Sequence, residues 1–346
     1  MFNYILRRIL LMIPVLLGIT VVTFAIINVA PGSPIEQKIQ QMRFGGVGAD
    51  GGGNAGMSNS SKDSAISEEV LDALKKQYGF DKPVHIRYWI WLKNISKLDF
   101  GESFTYEEPV LDVVSSKFPV SLQFGIVSLL MSYLICIPLG VIKAIKNGTK
   151  FDMLSSVVLS GMYSIPGFML GIILIVFLAG GAFLEWFPVG ELYSDEYYDM
   201  TLWEKVLDRT HHFILPLISY MISQFTVLTL LMKNSLIEEI KKDYVRTARA
   251  KGLSEKVVYL KHALRNALIP IVTGIGSFLA VFFAGSLLIE TIFQLDGMGL
   301  LGYQSLLERD YNVIMGLVFI QSLIMLVGNL ISDLCYVLVD PRIDFS

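Results

Sequence analysis

The residues best suited to chemistry form a polar, basic island between two oily stretches. It reads Asp243-Tyr-Val-Arg-Thr-Ala-Arg-Ala-Lys-Gly252-Leu-Ser254 and continues through His262-Ala-Leu-Arg265 to Pro270. The chemistry on offer is ion pairing rather than catalysis. Arg246, Arg249 and Lys251 can meet carboxylates on another molecule, and the small Ala248 and Ala250 let it come close. Ser235-Leu-Ile-Glu238 fits a capping box, which predicts a helix starting there and continuing through Ala250. Gly252 can take the left-handed conformation that ends a helix. Ser254 can cap a second helix, which runs until Pro270 opens the next apolar stretch. Two helices meeting at a glycine turn make a protruding knob. The residues alone fit two roles equally well: a handle for a partner protein, or a basic loop against anionic lipid.

Other chemistries lack their residues. There is no G-x-x-x-x-G-K-[ST] phosphate loop, so ATP hydrolysis is not expected of this chain. His85, His211, His212 and His262 lack the spacing of zinc ligands. Asp99-Phe-Gly101 stands without the lysine and catalytic loop of a kinase. No apolar stretch carries a nucleophile–base pair, which argues against a membrane-embedded enzyme.

The elements that must position the island are membrane helices. Of 346 residues, 53% are hydrophobic and only 17% charged, more oil than a soluble core of this size can hide. A span needs roughly 20 apolar residues. Six stretches qualify: Ile9–Val29, Val120–Ile142, Met153–Leu178, Phe213–Met232, Pro270–Ile289 and Val313–Val339. All are expected to be helices, because lipid offers free backbone groups no partner. The first is too long for a cleaved signal and reads as an uncleaved anchor. Cys136 and Cys335 both fall in spans, so no disulfide framework is implied. With Arg7 and Arg8 inside, fifteen Lys and Arg lie on the inner side and three (Lys205, Arg209, Arg309) in the short outer loops. Both termini and the island are therefore predicted to be cytoplasmic.

The chain divides accordingly into a first helix (1–29), a long outer segment (30–118), a five-helix core (119–339) carrying the inner loop 233–269, and a short tail (340–346). In the outer segment, Gly45–Ser64 reads as a mobile Gly- and Ser-rich loop and Ser67–Tyr78 as an amphipathic helix stopped by Gly79. Trp89 and Trp91 suit a membrane surface. Gly161, Pro166, Gly167 and Gly171 predict a kinked or interrupted third span. Interrupted spans often line transport paths, although each single glycine fits close helix packing better. Ser219, Ser223 and Thr226 share one face of the fourth span, as do Thr273, Ser277, Ala280 and Ala284 in the fifth. They offer a polar translocation route, or helix–helix contacts, which suits most of them better. Asp333 in the last span needs a partner or a place near the inner edge. A secondary carrier or channel would need more such groups, or an internal repeat, and neither is evident.

The island also resembles the coupling loop of permease subunits of bacterial ABC importers. Gly252 matches that motif's glycine, Ala248 its alanine and Pro270 its terminal proline, while Arg246 stands where many members carry glutamate, as in the peptide-importer branch. Arg7-Arg8-Ile-Leu-Leu-Met-Ile-Pro14, Phe118-Pro-Val-Ser121, Ile137-Pro-Leu-Gly140, Ser164-Ile-Pro-Gly-Phe168, Leu288-Ile-Glu290-Thr-Ile-Phe293, Gly297-Met-Gly299, Arg309-Asp310-Tyr311 and Asp340-Pro-Arg-Ile343 are similar to the same branch. Within it, Tyr78-Gly-Phe-Asp-Lys-Pro83, Asp99-Phe-Gly-Glu-Ser103, Lys146-Asn-Gly-Thr-Lys-Phe-Asp152 and Pro341-Arg-Ile-Asp-Phe345 resemble the YejB-type oligopeptide and microcin C permeases.

The resemblance implies an all-α polytopic fold with six transmembrane helices of the type I importer kind, in a bacterial inner membrane. It implies a second permease subunit, cytoplasmic ATPase subunits that bind the ATP and Mg, a periplasmic solute-binding protein and a peptide substrate. No cofactor is expected in this chain, and no nucleic acid among its partners. The coupling residues would be Arg246, Ala248, Arg249, Ala250 and Gly252.

Overall fold

A computed structural model of the chain describes residues 2–29, 81–180, 183–275 and 285–339. The expected loop at 45–64, the helix at 67–78, the tail at 340–346 and residues Ser277, Ala280 and Ala284 lie outside them. Among the described residues the protein is helical, with one isolated bridge between Glu102 and Pro109 and no strand.

Helix α1 (Phe2–Val29) is followed by α2 (Val84–Ile95) and the long α3 (Val110–Ile145). Next come α4 (Lys150–Tyr163), α5 (Gly167–Leu178), a 3-10 turn at Asp195–Asp199 and α6 (Leu202–Ile240). Then stand α7 (Asp243–Ala250), α8 (Glu255–Val257), a π-helical turn (Val258–Ala263), α9 (Leu264–Ala267) and α10 (Ile269–Thr273). Helices α11 (Leu287–Ile292), α12 (Met298–Leu307) and α13 (Tyr311–Val339) close the described chain.

Among the described residues, four stretches are long and apolar enough to cross a membrane: Tyr4–Val29, Val110–Ile145, Leu202–Ile240 and Tyr311–Leu334. Counted as one span, the pair α4 and α5, bent by 95°, makes a fifth. The expected fifth span is described only at its ends. Many side chains of these helices point outward, as on Leu10, Val22 and Ile26 of α1, the pattern of a lipid-facing surface.

The third span is interrupted where the sequence predicts it. Pro166 lacks the N–H that would continue α4 and disfavours helical geometry at Ile165. The glycines then divide. A Cβ on Gly167 would lie 2.4 Å from the Ser219 carbonyl oxygen of α6, and one on Gly171 would lie 2.9 Å from the Phe293 ring. Both are packing glycines. Gly161 has open space around it. We therefore expect Gly167→Ala to lower stability by about 1–3 kcal/mol, because backbone cannot yield as a side chain can. Gly161→Ala should gain up to about 1 kcal/mol from helix propensity. Thermal unfolding in detergent distinguishes the two; equal midpoints would refute the packing role.

The described residues form two compact units. The first comprises those of Met1–Ile13, Lys117–Leu301 and Gln321–Ser346. One apolar core in it joins Cys136, Leu228, Met232 and Leu236 to Val245, Ala248, Val258 and Ala263. A second gathers Phe124, Leu215, Tyr220, Ile289 and Phe293, with the Phe124 and Phe213 rings stacked 4.0 Å apart. Asp333 has the partner it needs: Arg8 Nη2 stands 2.9 Å from its Oδ2. Burying both ends of that pair partly, rather than exposing one charge to lipid, is the cheaper arrangement.

The second unit comprises the described residues of Pro14–Ser116 and Gly302–Ile320. Its centre is the buried Asp310, whose carboxylate accepts from Ser103 Oγ at 2.5 Å and from the backbone N–H of Thr105 (3.1 Å) and Val313 (3.2 Å). Asp99-Phe-Gly-Glu-Ser103 thus serves as an anchored turn. Of the two tryptophans expected at a membrane surface, Trp89 is exposed. Trp91 is buried instead, against Tyr88 and Phe319, because the helical period turns it to the inner face.

Candidate functional site

The knob is built at the end of α6. That helix does not begin at Ser235, as the capping pattern predicts, but runs through it to Ile240. The fully buried Leu236 carries the helix on, and Ser235 Oγ donates instead to the Ala267 carbonyl at 2.8 Å. The break comes at Lys241–Lys242, where Lys242 takes extended geometry (φ −73°, ψ 152°). Glu239 holds the corner by accepting from Lys242 Nζ and from Tyr244 Oη. Partial burial, reinforced by Glu239, pushes the Tyr244 phenol up to about 12, so it remains a donor at neutral pH.

Helix α7 then runs from Asp243, whose acidic side chain suits a helix N-terminus, to Ala250. Its end is a Schellman turn. Gly252 N donates to the Arg249 carbonyl (2.9 Å) and Leu253 N to the Ala248 carbonyl (3.4 Å), with Gly252 left-handed at φ +78°. Ser254 occupies the expected cap position of the second helix, though its side chain makes no capping bond. That second helix is a series, α8 to α10, with a π-helical turn in its middle and Pro270 in the first turn of α10.

The five expected coupling residues face three ways. Arg246 is largely exposed and touches only Asp243, 3.3 Å away. Ala250 and Gly252 are also exposed. Ala248 is not: with Val245 it forms the inner stripe of α7, three residues apart, and packs against Val258 and Ala263. Its small side chain admits the protein's own second helix. Arg249 folds back over the turn. Its Nε and Nη2 reach the Glu255 carboxylate at 2.9 and 3.2 Å, and Nη2 also donates to Tyr259 Oη at 3.3 Å. The guanidinium holds the Glu255 carboxyl below the usual carboxylate range. A depressed carboxyl keeps its pair above that lowered value and loses it as pH falls through it, so the pair is intact at neutral pH.

The hydroxyl-bearing residues are mostly occupied within the subunit. Ser219 Oγ donates to the Leu215 carbonyl at 3.0 Å, and Thr226 Oγ1 to the Leu159 carbonyl at 2.9 Å; both residues are buried. Thr273 Oγ1 donates to the Pro270 carbonyl at 3.0 Å, and its own carbonyl accepts from Ser332. Only Ser223 of the described four is exposed. Of the three hydroxyl bonds, that of Thr226 joins two helices, and those of Ser219 and Thr273 stay within their own helix.

Two polar clusters escape sequence reasoning. Asp152 is clasped by Lys143 and Lys233. Glu290 collects four neutral donors. Thr149-x-x-Asp152 carries a local trace of the first, since Thr149 caps α4 through Asp152 N. Nothing local marks the second.

Comparison with known proteins places the chain in a family. Residues 136–345 match the family described as binding-protein-dependent transport system inner membrane component. The peptidoglycan transport system permease protein YejB of Agrobacterium fabrum is 46% identical, with 99% of this chain and 98% of that one aligned. An inner membrane ABC transporter permease protein YejB of Escherichia coli O157:H7 is 42% identical over 99% of both chains. The oligopeptide transport system permease protein AppB of Bacillus subtilis is 35% identical, again over 99% of both. Among solved structures, a chain of the inward-facing MetNI methionine ABC transporter aligns with a TM-score of 0.48 at 18% identity, over 65% of this chain and 97% of that one. With the family match over most of the helical core and kinship along nearly its whole length, this chain belongs to the inner membrane components of binding-protein-dependent transport systems.

Proposed function

We propose that this protein is one of two permease subunits of an ATP-driven importer for oligopeptides or peptide-like compounds in a bacterial inner membrane. It forms half of the translocation pathway, with both termini in the cytoplasm. The observation that carries the reading is the α7 elbow, an exposed helix offset from the end of a membrane helix by a rigid corner. Family membership and the transport of peptidoglycan or oligopeptides named for its relatives support the substrate class.

The partners are a second, related permease, cytoplasmic ATPase subunits that hold the ATP and Mg, and an external solute-binding protein. This chain has no phosphate loop, so the energy must arrive mechanically through α7. Closing of the ATPase pair moves the elbow. Because α7 shares a core with α3 and α6 through Val245, Ala248, Leu236 and Cys136, that motion reaches the spans. The spans alternate between two packings of similar energy, one open to each side, and nucleotide biases the choice.

Gly252 tests the reading. An added Cβ meets nothing within 4 Å, so substitution acts through backbone conformation alone. Gly252→Val should disturb the turn by about 1–2 kcal/mol or more, and uncouple ATP hydrolysis from uptake without preventing insertion. Gly252→Asn, which tolerates the left-handed region, should retain coupling. Purification in mild detergent should bring down an ATPase that crosslinks at Arg246 or Ala250. Full uptake in Gly252→Val, or an elbow that crosslinks only to lipid, would defeat the reading.

A further inference from the structure

The elbow contains an ion pair that docking does not require. A Cβ added at Gly252 would meet nothing within 4 Å, and a glycine there leaves the backbone permissive. The inner faces of the two helices are joined by apolar contacts at Val245, Ala248 and Val258. Arg249 reaches across the outer side of the turn with a two-pronged contact to Glu255, a hydrogen bond to Tyr259, and its guanidinium carbon 5.7 Å from the Tyr259 ring centre. Tyr259 sits in the π-helical turn, so this one side chain ties α7 to both segments beyond the glycine.

Resting on the coupling role proposed above, we infer that Arg249 and Glu255 form an intramolecular clasp that fixes the angle of the elbow. Arg249 is then a positioning residue rather than a contact to the ATPase. A handle transmits force only if its angle is held, and a planar guanidinium fork holds angle in a way that a lysine ammonium cannot. The pair is partly solvent-exposed, so its effect falls more on geometry than on stability. Arg246 differs: its single contact and high exposure leave it free to turn toward a partner.

The test uses the complete transporter in proteoliposomes, with a pool of radiolabelled alanine peptides of mixed length as the probe. Arg249→Gln and Glu255→Gln should each raise the ATP hydrolysed per peptide imported by about fivefold, within the range for directly contacting pairs. ATPase co-purification and the thermal midpoint should stay unchanged. Arg249→Lys should also uncouple. The exchange Arg249→Glu with Glu255→Arg should restore coupling, because the clasp re-forms with its ends reversed. Native coupling in both single variants overturns the inference, and so does failure of the exchange to restore it. If no ATPase accompanies the unaltered protein, the coupling role itself falls, and the clasp with it.

Discussion

Asp152→Asn should be among the most destabilising single changes in this protein, costing about 3–5 kcal/mol. The side chain keeps its size, and Thr149 can still cap α4, but the charge is lost and one acceptor oxygen becomes an amide group that faces other donors. Lys143, whose side chain is 0% exposed, lies 3.1 Å from Asp152 Oδ1. Lys233 Nζ bridges both carboxylate oxygens at 2.7 and 2.8 Å, and Gly148 N adds a bond at 3.1 Å. Without the carboxylate, two cations face each other, one of them fully buried and held only by neutral oxygens of Asp152, Ser155 and Ser156. Lys233→Met is the control. It leaves the Lys143–Asp152 pair intact and charge-balanced, and should cost less, about 1–3 kcal/mol for the hydrogen bonds lost to the carboxylate. Thermal unfolding of purified protein compares them. A smaller loss for Asp152→Asn than for Lys233→Met would show that the carboxylate does not organise this corner.

Glu290→Ala should leave little or no folded protein. The Glu290 carboxylate is fully buried and serves four donors: Ser121 Oγ (2.9 Å), Tyr220 Oη (3.2 Å), Ser286 N (3.2 Å) and Leu300 N (2.8 Å). These come from α3, α6, the start of α11 and α12, so one side chain ties four helices. Alanine leaves three of these donors without an acceptor, since Ser286 N also reaches Tyr220 Oη at 3.2 Å, at about 1–3 kcal/mol each, roughly 3 kcal/mol or more in total. Glu290→Gln keeps a carbonyl oxygen but brings an amide that faces other donors, so an intermediate loss is expected. The amount of monodisperse protein recovered in detergent reads the series. Equal recovery of Glu290→Ala and the unaltered protein would mean that these donors find other acceptors.

Much of the fold was legible because its signals are local. Runs of oil mark the spans, and the break before Pro166 follows from a missing N–H. The elbow was legible too, since Gly252 sits just past a helical stretch in the one position that a left-handed turn requires. Signals failed where two local rules competed. Ser235 and Glu238 have capping spacing, yet burial of Leu236 keeps α6 going. Ala248 reads as room for a partner, yet the period of α7 places it on the same inner face as Val245. Arg249 reads as a cation for another protein's carboxylate, and a carboxylate six residues onward takes it. The hydroxyls of Ser219 and Thr226 read as a path or, better, as packing, and backbone carbonyls of α6 and α4 accept from them.

Alone, the order of amino acids determined that this chain crosses a membrane repeatedly, where its third span breaks, and that a basic elbow follows the fourth. Those are properties of neighbours: hydropathy, helical period and the backbone limits of proline and glycine act over a few residues. Only the tertiary structure decided which polar groups are partners. Ser121 meets Glu290 across 169 positions, and Asp152 meets Lys233 across 81. No local rule reaches that far. A buried charge must find its complement wherever the packing of helices brings one, and that is settled by the whole fold at once.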